Sequence, residues 1–262
     1  MINYDSIDDW APQLGRALTD AVPEAVRRSV AAASHQFVED ALANMLRLVE
    51  RGQVIESTLR WITENEVLAH HGSRLTEEDL NSIRADGLQP LVAERRRNRL
   101  QRALRQHPSW KEVEGRLDDA IRAHSGTGKS GRREGQVHLT LSRSGLTSGF
   151  DHYLTHGSEF DQQVAYDLLG QEGRDLLATD GTPLVVTVAV PGPSALEATH
   201  RYFTVEQTIA RGDLPNLVSP FLETWAFKLS DTSYQSTQRQ LDCGIWYRAV
   251  VPANWIRAVE PP

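Results

Sequence analysis

Cysteine and long hydrophobic runs are scarce in this chain. Of its 262 residues only Cys243 is a cysteine, which excludes an internal disulfide and any zinc site built from several cysteines. The longest uncharged apolar stretch, residues 184–191, is far shorter than the roughly 20 residues that a helix needs to cross a bilayer. We therefore expect neither a disulfide-stabilised protein nor one that spans a membrane.

Positive charge is also in deficit. The chain has 28 lysines and arginines against 35 aspartates and glutamates, a formal net charge of -7, so its overall charge does not draw it to polyanions. Hydrophobic residues make up 40% of the chain, enough for a folded core. Residues 1–5 lack the basic and apolar regions of a signal peptide, so we expect a cytoplasmic protein.

Helical patterns dominate the first half of the chain. Residues 6–65 place apolar side chains at three- and four-residue spacing, which is typical of amphipathic helices. Thr76, followed by three acidic residues, predicts a helix that ends at Gly87. Residues 91–123 form a second helical region, interrupted at Pro108.

Strand patterns appear in the second half. Apolar and polar residues alternate over 137–142, which predicts a half-buried strand, and the β-branched run 183–191 predicts an interior strand. A helix is expected over 159–169, and a last pair of strands over 225–229 and 245–251. The sequence therefore predicts an α+β fold.

The most informative motif is the run 68–74, Leu-Ala-His-His-Gly-Ser-Arg. A strand ending in His71-Gly72-Ser73, followed by a helix, brings an imidazole and a glycine backbone to one end of a sheet. Only glycine lets a ligand approach the backbone this closely. A second motif, residues 135–142, is followed by Ser144 and by two aromatic residues, Phe150 and Tyr153, either of which can offer a ring face to a flat ligand.

Together these two motifs resemble the NAD-binding motifs of the ADP-ribosyltransferase superfamily, especially its diphtheria-toxin and poly-ADP-ribose-polymerase branch. The resemblance implies a split β-sheet core over residues 65–262, with NAD bound in a cleft between two small sheets. It leaves residues 1–64 as an N-terminal helical subdomain and residues 91–134 as a helical, arginine-rich insertion.

The resemblance also implies roles for individual residues. His71 would hold the adenosine ribose and Gly72 the carboxamide of NAD. Ser73 or Thr140 would lie at the nicotinamide ribose, and the ring of Tyr153 would stack on nicotinamide.

The chain departs from the family pattern at two positions. His138 stands where the family's second strand usually carries tyrosine, and no glutamate opens the last strand near Gly244, where the family has its catalytic carboxylate. Glu159 is the nearest substitute, with Gln240, Asp242 or the substrate's own phosphates as the remaining candidates.

The resemblance implies an NAD-dependent mono-ADP-ribosyltransferase, which cleaves the nicotinamide glycosidic bond and transfers one ADP-ribose to a macromolecular acceptor, protein or nucleic acid. Two alternatives stay open: a catalytically degenerate NAD- or nucleotide-binding module, and a relative of the same fold that acts on RNA 2'-phosphate. Six arginines offer a surface for an acidic partner: Arg95, Arg96, Arg97, Arg99, Arg102 and Arg105.

Two further motifs are rejected. Residues 126–130 end in Gly-Lys-Ser but follow a predicted helix instead of a strand, unlike a P-loop. His152 and His156, with Glu159, have the spacing of helical metal ligands, but the surrounding glycines disfavour a helix there. No metal site is therefore predicted.

Overall fold

The computed structural model describes residues 1–126, 134–149, 151–239, 241 and 243–262. The chain forms two compact units. The first comprises Met1–Ala69 and Ala189–Ile245, and the second comprises His70–Val188 and Trp246–Pro262. The predicted helical segment 1–64 falls within the first unit.

Helices account for most of the ordered structure. In chain order they are α1 (Ile7–Ala17), α2 (Glu24–Ala32), α3 (Val38–Leu46), α4 (Arg51–Thr63), α5 (Glu77–Asp86), α6 (Arg97–Leu104), α7 (Trp110–Val113), α8 (Leu117–His124), α9 (Arg143–Ser148), α10 (His152–His156), α11 (Glu159–Leu176), α12 (Gly192–Ala198), α13 (Val205–Ala210) and α14 (Val218–Ser230). None of the helices in the described ranges is both long and apolar enough to cross a membrane.

The described strands form one five-stranded sheet in the order β4-β2-β1-β3-β5. The strands are β1 (Glu66–Leu75), β2 (Val137–Thr140), β3 (Thr182–Pro191), β4 (Gly244–Tyr247) and β5 (Ile256–Glu260). β1 and β2 are antiparallel, with His70 opposite Thr140, and β3 and β5 are antiparallel, with Val186 opposite Val259. The α+β class is confirmed, but the strands make a single sheet and not the two small sheets expected.

An aromatic cluster forms the core of the first unit. Phe221 of α14 packs edge-on against Trp10 and Trp61, with ring centroids 5.1 and 5.4 Å away. The hydroxyl groups of Tyr4 and Thr224 lie 2.7 Å apart in the same interior, so the buried phenol keeps a hydrogen-bond partner.

The core of the second unit lies between α6, α8 and α11. Leu100 and Leu104 pack there with Leu117 and Phe160, all of them almost completely buried. This core sets α11 against the arginine-bearing face of α6, and the first residue of α11 is Glu159.

The predicted limits of α5 are confirmed. The Thr76 side chain accepts the backbone N–H of Asp79, and the Asp79 carboxylate accepts the backbone N–H of Thr76 at 2.8 Å, which is a capping box. Gly87 ends the helix with φ +79°, and a Cβ atom there would overlap the backbone oxygen of Val251. Glycine is therefore required at this turn.

Several other predicted elements are confirmed. The helical regions 6–65 and 91–123 contain α1 to α4 and α6 to α8, and β3 lies between two neighbouring strands, as an interior strand should. The helix expected over 159–169 also forms, and the chain continues to Leu176 after a non-helical Gly170 with φ 64° and ψ -149°.

Three predictions about strands and helices were wrong. Residues 225–229 belong to α14, where buried positions recur with helical spacing over a longer window than the five residues considered. The strand expected over 245–251 stops at Tyr247, and Val251 instead makes an isolated bridge with Leu88. His152 and His156 do lie on a short helix, α10, despite the neighbouring glycines.

Candidate functional site

His71 lies in the middle of β1, because the strand continues past the predicted His-Gly-Ser end to Leu75. Its Nδ1 atom is 2.8 Å from the backbone oxygen of His138 on β2. A carbonyl oxygen only accepts, so Nδ1 carries the proton and Nε2 keeps its lone pair. Burial lowers the pKa of His71 and outweighs this hydrogen bond, so the ring is neutral near pH 7.

Three aromatic rings lie close together on β2, β4 and α10. The His138 ring is stacked with Trp246 of β4, at a centroid distance of 6.0 Å and an interplanar angle of 16°, and it lies 6.0 Å from the Tyr153 ring of α10. All three side chains are half-buried. Sequence reasoning missed Trp246, although its place on a strand edge next to β2 follows once β4 is paired with β2.

Glu159 is joined to this ring cluster through Tyr153. The Tyr153 hydroxyl donates to Oε1 of Glu159 at 2.7 Å, and Nε2 of His152 lies 3.3 Å from the same oxygen. Ser158 caps α11 by accepting the backbone N–H of Asp161, which sets Glu159 in the first helical turn, where the helix dipole favours a negative charge. Contacts therefore link four of the predicted site residues: His71, His138, Tyr153 and Glu159.

The other predicted site residues, Gly72, Ser73 and Thr140, are buried in β1 and β2. A Cβ atom on Gly72 would lie 3.2 Å from a Leu146 methyl group and 3.3 Å from a Leu154 methyl group, so this side of the glycine faces leucines. The Oγ1 atom of Thr140 has no hydrogen-bond partner among the described residues. That atom retains an unused donor and acceptor.

The arginine run does not form an open basic face. Arg96 donates to both carboxylate oxygens of the fully buried Asp161, and Arg102 donates to both oxygens of Asp180 at 2.8 and 2.9 Å. Arg99 is 8% exposed and has carboxylate oxygens of Asp79, Asp161 and Asp180 each 3.6 Å away.

The other three arginines are exposed. Arg97 pairs with Asp118 at 2.7 Å, whereas Arg95 and Arg105 have no carboxylate partner among the described residues. The hypothesis that all six arginines face an acidic partner is therefore wrong, because the middle of the run neutralises buried aspartates.

Asp161 is charged inside this cluster. Burial alone would raise the pKa of its carboxyl, but Arg96 and Arg99 outweigh burial and hold the pKa below its ordinary value of 3.8. The cluster is thus a fixed ionic network at neutral pH.

The histidines of α10 do not converge on one point. His152 lies beside Glu159, whereas Nε2 of His156 is 3.8 Å from Asp175. Across the described ranges, no group of three or more histidine, cysteine, aspartate or glutamate side chains could hold a metal ion. Four parts of the chain lie outside the described residues: Phe150, Gln240, Asp242 and residues 127–133, which include the whole Gly-Lys-Ser sequence.

Compared with known proteins, the chain matches no protein-family model, no curated protein and no solved structure. Nothing beyond its own residues therefore assigns it to a family or an activity.

Proposed function

We propose that this chain is an NAD-dependent mono-ADP-ribosyltransferase. The observation that supports it best is the joined set of His71, His138, Tyr153 and Glu159. These residues come from separate motifs, up to 88 positions apart in the chain. Nδ1 of His71 donates to the backbone oxygen of His138, the His138 ring lies 6.0 Å from the Tyr153 ring, and the Tyr153 hydroxyl donates to Glu159. An imidazole acceptor, ring faces and a carboxylate are the groups that binding and cleaving a nicotinamide riboside require.

The neutral His71 ring suits the recognition of a ribose. Its Nε2 lone pair accepts a hydrogen bond from a ribose hydroxyl, while Nδ1 is held by β2. His138, Tyr153 and Trp246 offer aromatic surface on which a flat nicotinamide or adenine ring can stack. Both features fit NAD as the substrate of this site.

In the proposed reaction the bond between the ribose C1' atom and the nicotinamide nitrogen breaks. The bonding electrons leave with nicotinamide, which becomes neutral, and positive charge develops on the ribose. The carboxylate of Glu159, oriented by Tyr153 and His152, would stabilise that charge. A nucleophilic atom of the acceptor then bonds to C1' and gives up its proton to water.

A binding module without catalysis is the second candidate, and one observation favours it: Gly244 stands where the family's glutamate is expected, so no carboxylate opens β4. The RNA 2'-phosphate alternative loses its main support, because Arg96, Arg99 and Arg102 pair with Asp161 and Asp180.

The deciding experiment uses the purified chain and two labelled forms of NAD, one labelled in nicotinamide and one in the adenylate phosphate. We expect release of nicotinamide and, with cell extract present, transfer of the adenylate label to a macromolecule. NAD binding without release would identify the binding module. Absence of NAD binding would overturn both candidates.

A further inference from the structure

A cleft of about 340 Å³ opens between α1, α2 and α14, within the first unit. Its lining includes Ala11, Gly15, Arg27, Trp225 and Leu229. Pockets that bind small molecules measure about 300 to 1,000 Å³, so this cleft has room for a small ligand. We name it the Arg27 cleft.

The Arg27 guanidinium is fixed in this cleft by its own chain. Its Nε atom donates to the backbone oxygen of Val22 at 2.9 Å, and its Nη2 atom donates to that of Gly15 at 2.7 Å. The guanidinium carbon lies 5.5 Å from the Trp225 ring centroid, which adds a cation–π contact. Among the described residues nothing accepts from Nη1, so Arg27 is held in place with this nitrogen left to donate.

Arg27 is half-buried without a carboxylate partner in the described chain. Arg239, a partly buried arginine of the same unit, lies 2.6 Å from Glu223 and 2.8 Å from Glu39. The backbone oxygens that hold Arg27 are dipoles and bring no negative charge. Because a charge withdrawn from water is costly without an opposite charge, a bound anion would supply what the chain does not.

The other charged groups of the cleft leave it positive. Lys228 and Asp8 neutralise each other, with Nζ 2.9 Å from Oδ1, and the second oxygen of Asp8 accepts from Gln235 at 3.1 Å. Arg16 also lines the cleft, and no carboxylate of the described residues pairs with it. Two unmatched cations, Arg16 and Arg27, therefore share one cleft in a chain whose net charge is -7.

Gly15 keeps the donors of this cleft uncovered. It lies inside α1, where an added Cβ atom would be 3.4 Å from Nε1 of Trp225 and 3.8 Å from Nη1 of Arg27. These are ordinary contact distances, and alanine favours a helix over glycine by about 1 kcal/mol, so neither packing nor helix formation requires glycine here. Its missing side chain instead leaves open two nitrogens that can only donate hydrogen bonds.

From these observations we infer that the Arg27 cleft binds a small organic anion, a carboxylate or a phosphate monoester carried on an apolar body. Nη1 of Arg27 and Nε1 of Trp225 donate to the anionic oxygens, and Arg16 adds positive charge. Pro12 and Leu229 contact the apolar body. The inference is independent of the proposed activity.

The first test is calorimetric titration of the full chain with three compounds that share one ring system. Naphthalene-2-carboxylate and 2-naphthyl phosphate carry the two anionic groups, and naphthalene-2-carboxamide is the neutral control. We expect at least one anion to bind with a dissociation constant below about 1 mM, and the amide at least about tenfold more weakly. The tighter anion identifies the group that the cleft prefers. Absence of binding by both anions, or equal binding of the amide, would overturn the inference.

The second test locates the bound anion in the cleft by substitution. Arg27→Gln should raise the dissociation constant of the anion at least about tenfold, because it removes the charge. Arg28→Gln, at the neighbouring exposed arginine of α2, is the matched control and should leave the constant unchanged.

Arg27 also holds two backbone oxygens, so a variant that keeps every one of these contacts is needed. Gly15→Ala retains Arg27 and Trp225 but covers their free nitrogens with a methyl group. It should match or exceed the wild-type melting temperature and still weaken anion binding at least about tenfold. Wild-type anion affinity in a folded Gly15→Ala chain would overturn the assignment of the anion to this cleft.

Discussion

The imidazole of His71 donates its Nδ1 proton to the backbone oxygen of His138, across 2.8 Å, and so ties a polar side chain of β1 to the strand that carries the stacked ring. One hydrogen bond thereby determines both the tautomer of His71 and its position beside His138. Substitution by asparagine can separate these two effects, because its side-chain amide can donate from near the position of Nδ1 but has no atom in place of Nε2.

His71→Ala should weaken NAD binding by about 1 to 3 kcal/mol, the cost of losing one hydrogen bond to a buried ligand. His71→Asn keeps a donor near Nδ1 but has no counterpart of Nε2, so it should preserve the fold and still lose affinity. Calorimetric titration with NAD measures both variants. Wild-type affinity in either one would contradict the assigned role of Nε2.

Glu159→Gln should preserve NAD affinity and slow nicotinamide release about 100-fold or more, because it removes the charge that stabilises the transition state. The matched control is Glu172→Gln, at another carboxylate of α11 that lies against a histidine, His107, at 2.8 Å. Rates are measured by single-turnover release of nicotinamide. Equal rates in Glu159→Gln and the wild type would exclude Glu159 as the catalytic carboxylate.

If Gly72 holds the carboxamide of NAD, as the family resemblance implies, Gly72→Val would block binding and leave the fold intact. The structure changes this expectation, because a side chain at Gly72 would press on Leu146 and Leu154. Gly72→Ala should therefore lower the free energy of unfolding by about 1 to 3 kcal/mol, as overpacking does.

A control for this change is Gly115→Ala, since no atom lies within 4 Å of the added methyl group there. Thermal unfolding of the two variants gives the comparison. If Gly72→Val keeps the wild-type melting temperature and loses NAD binding, the glycine faces the ligand after all.

Asp161→Asn should lower the free energy of unfolding by about 3 to 5 kcal/mol, because it leaves two buried or partly buried guanidinium groups without their shared anion. Urea denaturation measures the loss. The exposed pair of Asp119 with Arg122 supplies the control, and Asp119→Asn should change little.

The carboxylate of Asp161 also predicts that the folded chain loses stability in acid. The pKa of Asp161 lies below 3.8 in the folded chain, so its contribution to stability is complete above that pH and decreases as the pH falls further. Asp161→Asn should remove this part of the acid sensitivity. An unchanged acid transition in the variant would count against a charged Asp161.

His200 predicts a pH dependence in the first unit. Burial lowers the pKa of His200 below 6.5 and outweighs Phe203 and Glu206, which raise it. The neutral ring can then accept the backbone N–H of Asn216 at Nε2. The unfolded chain takes up the proton first, so stability is complete above about pH 6.5 and declines as the pH falls below it. An NMR titration of the His200 ring measures this directly, and a pKa at or above 6.5 would contradict the hydrogen-bond assignment.

Local signals predicted part of this fold well. Thr76 begins α5 through a contact three residues away, and Gly87 ends it with a backbone conformation that glycine favours. The helix expected to end at residue 169 meets its kink at Gly170. The strand predicted over residues 225–229 was wrong, because five apolar-rich residues do not distinguish a strand from about one and a half turns of a buried helix.

Long-range pairing limited what the sequence could predict about the site. The motifs identified His71, His138, Tyr153 and Glu159, but Trp246 joins them only through the pairing of β4 with β2. Arg96 is likewise predicted from the sequence to face an acidic partner, because Asp161, with which it pairs, lies 65 positions later. Contacts of this kind join residues that are far apart in sequence, so the pattern of charges along the chain does not predict them.

The family resemblance implies that residues 91–134 are an arginine-rich insertion. Arg96, Arg99 and Arg102 instead supply the counter-charges of Asp161 and Asp180, and Leu100 and Leu104 cover the apolar side of α11. Removing residues 91–134 would leave the carboxylates of Asp161 and Asp180 without these counter-charges, and it would expose Phe160. A fragment that folds as the second unit must therefore keep α6 and α8, which supply these charges and this apolar cover.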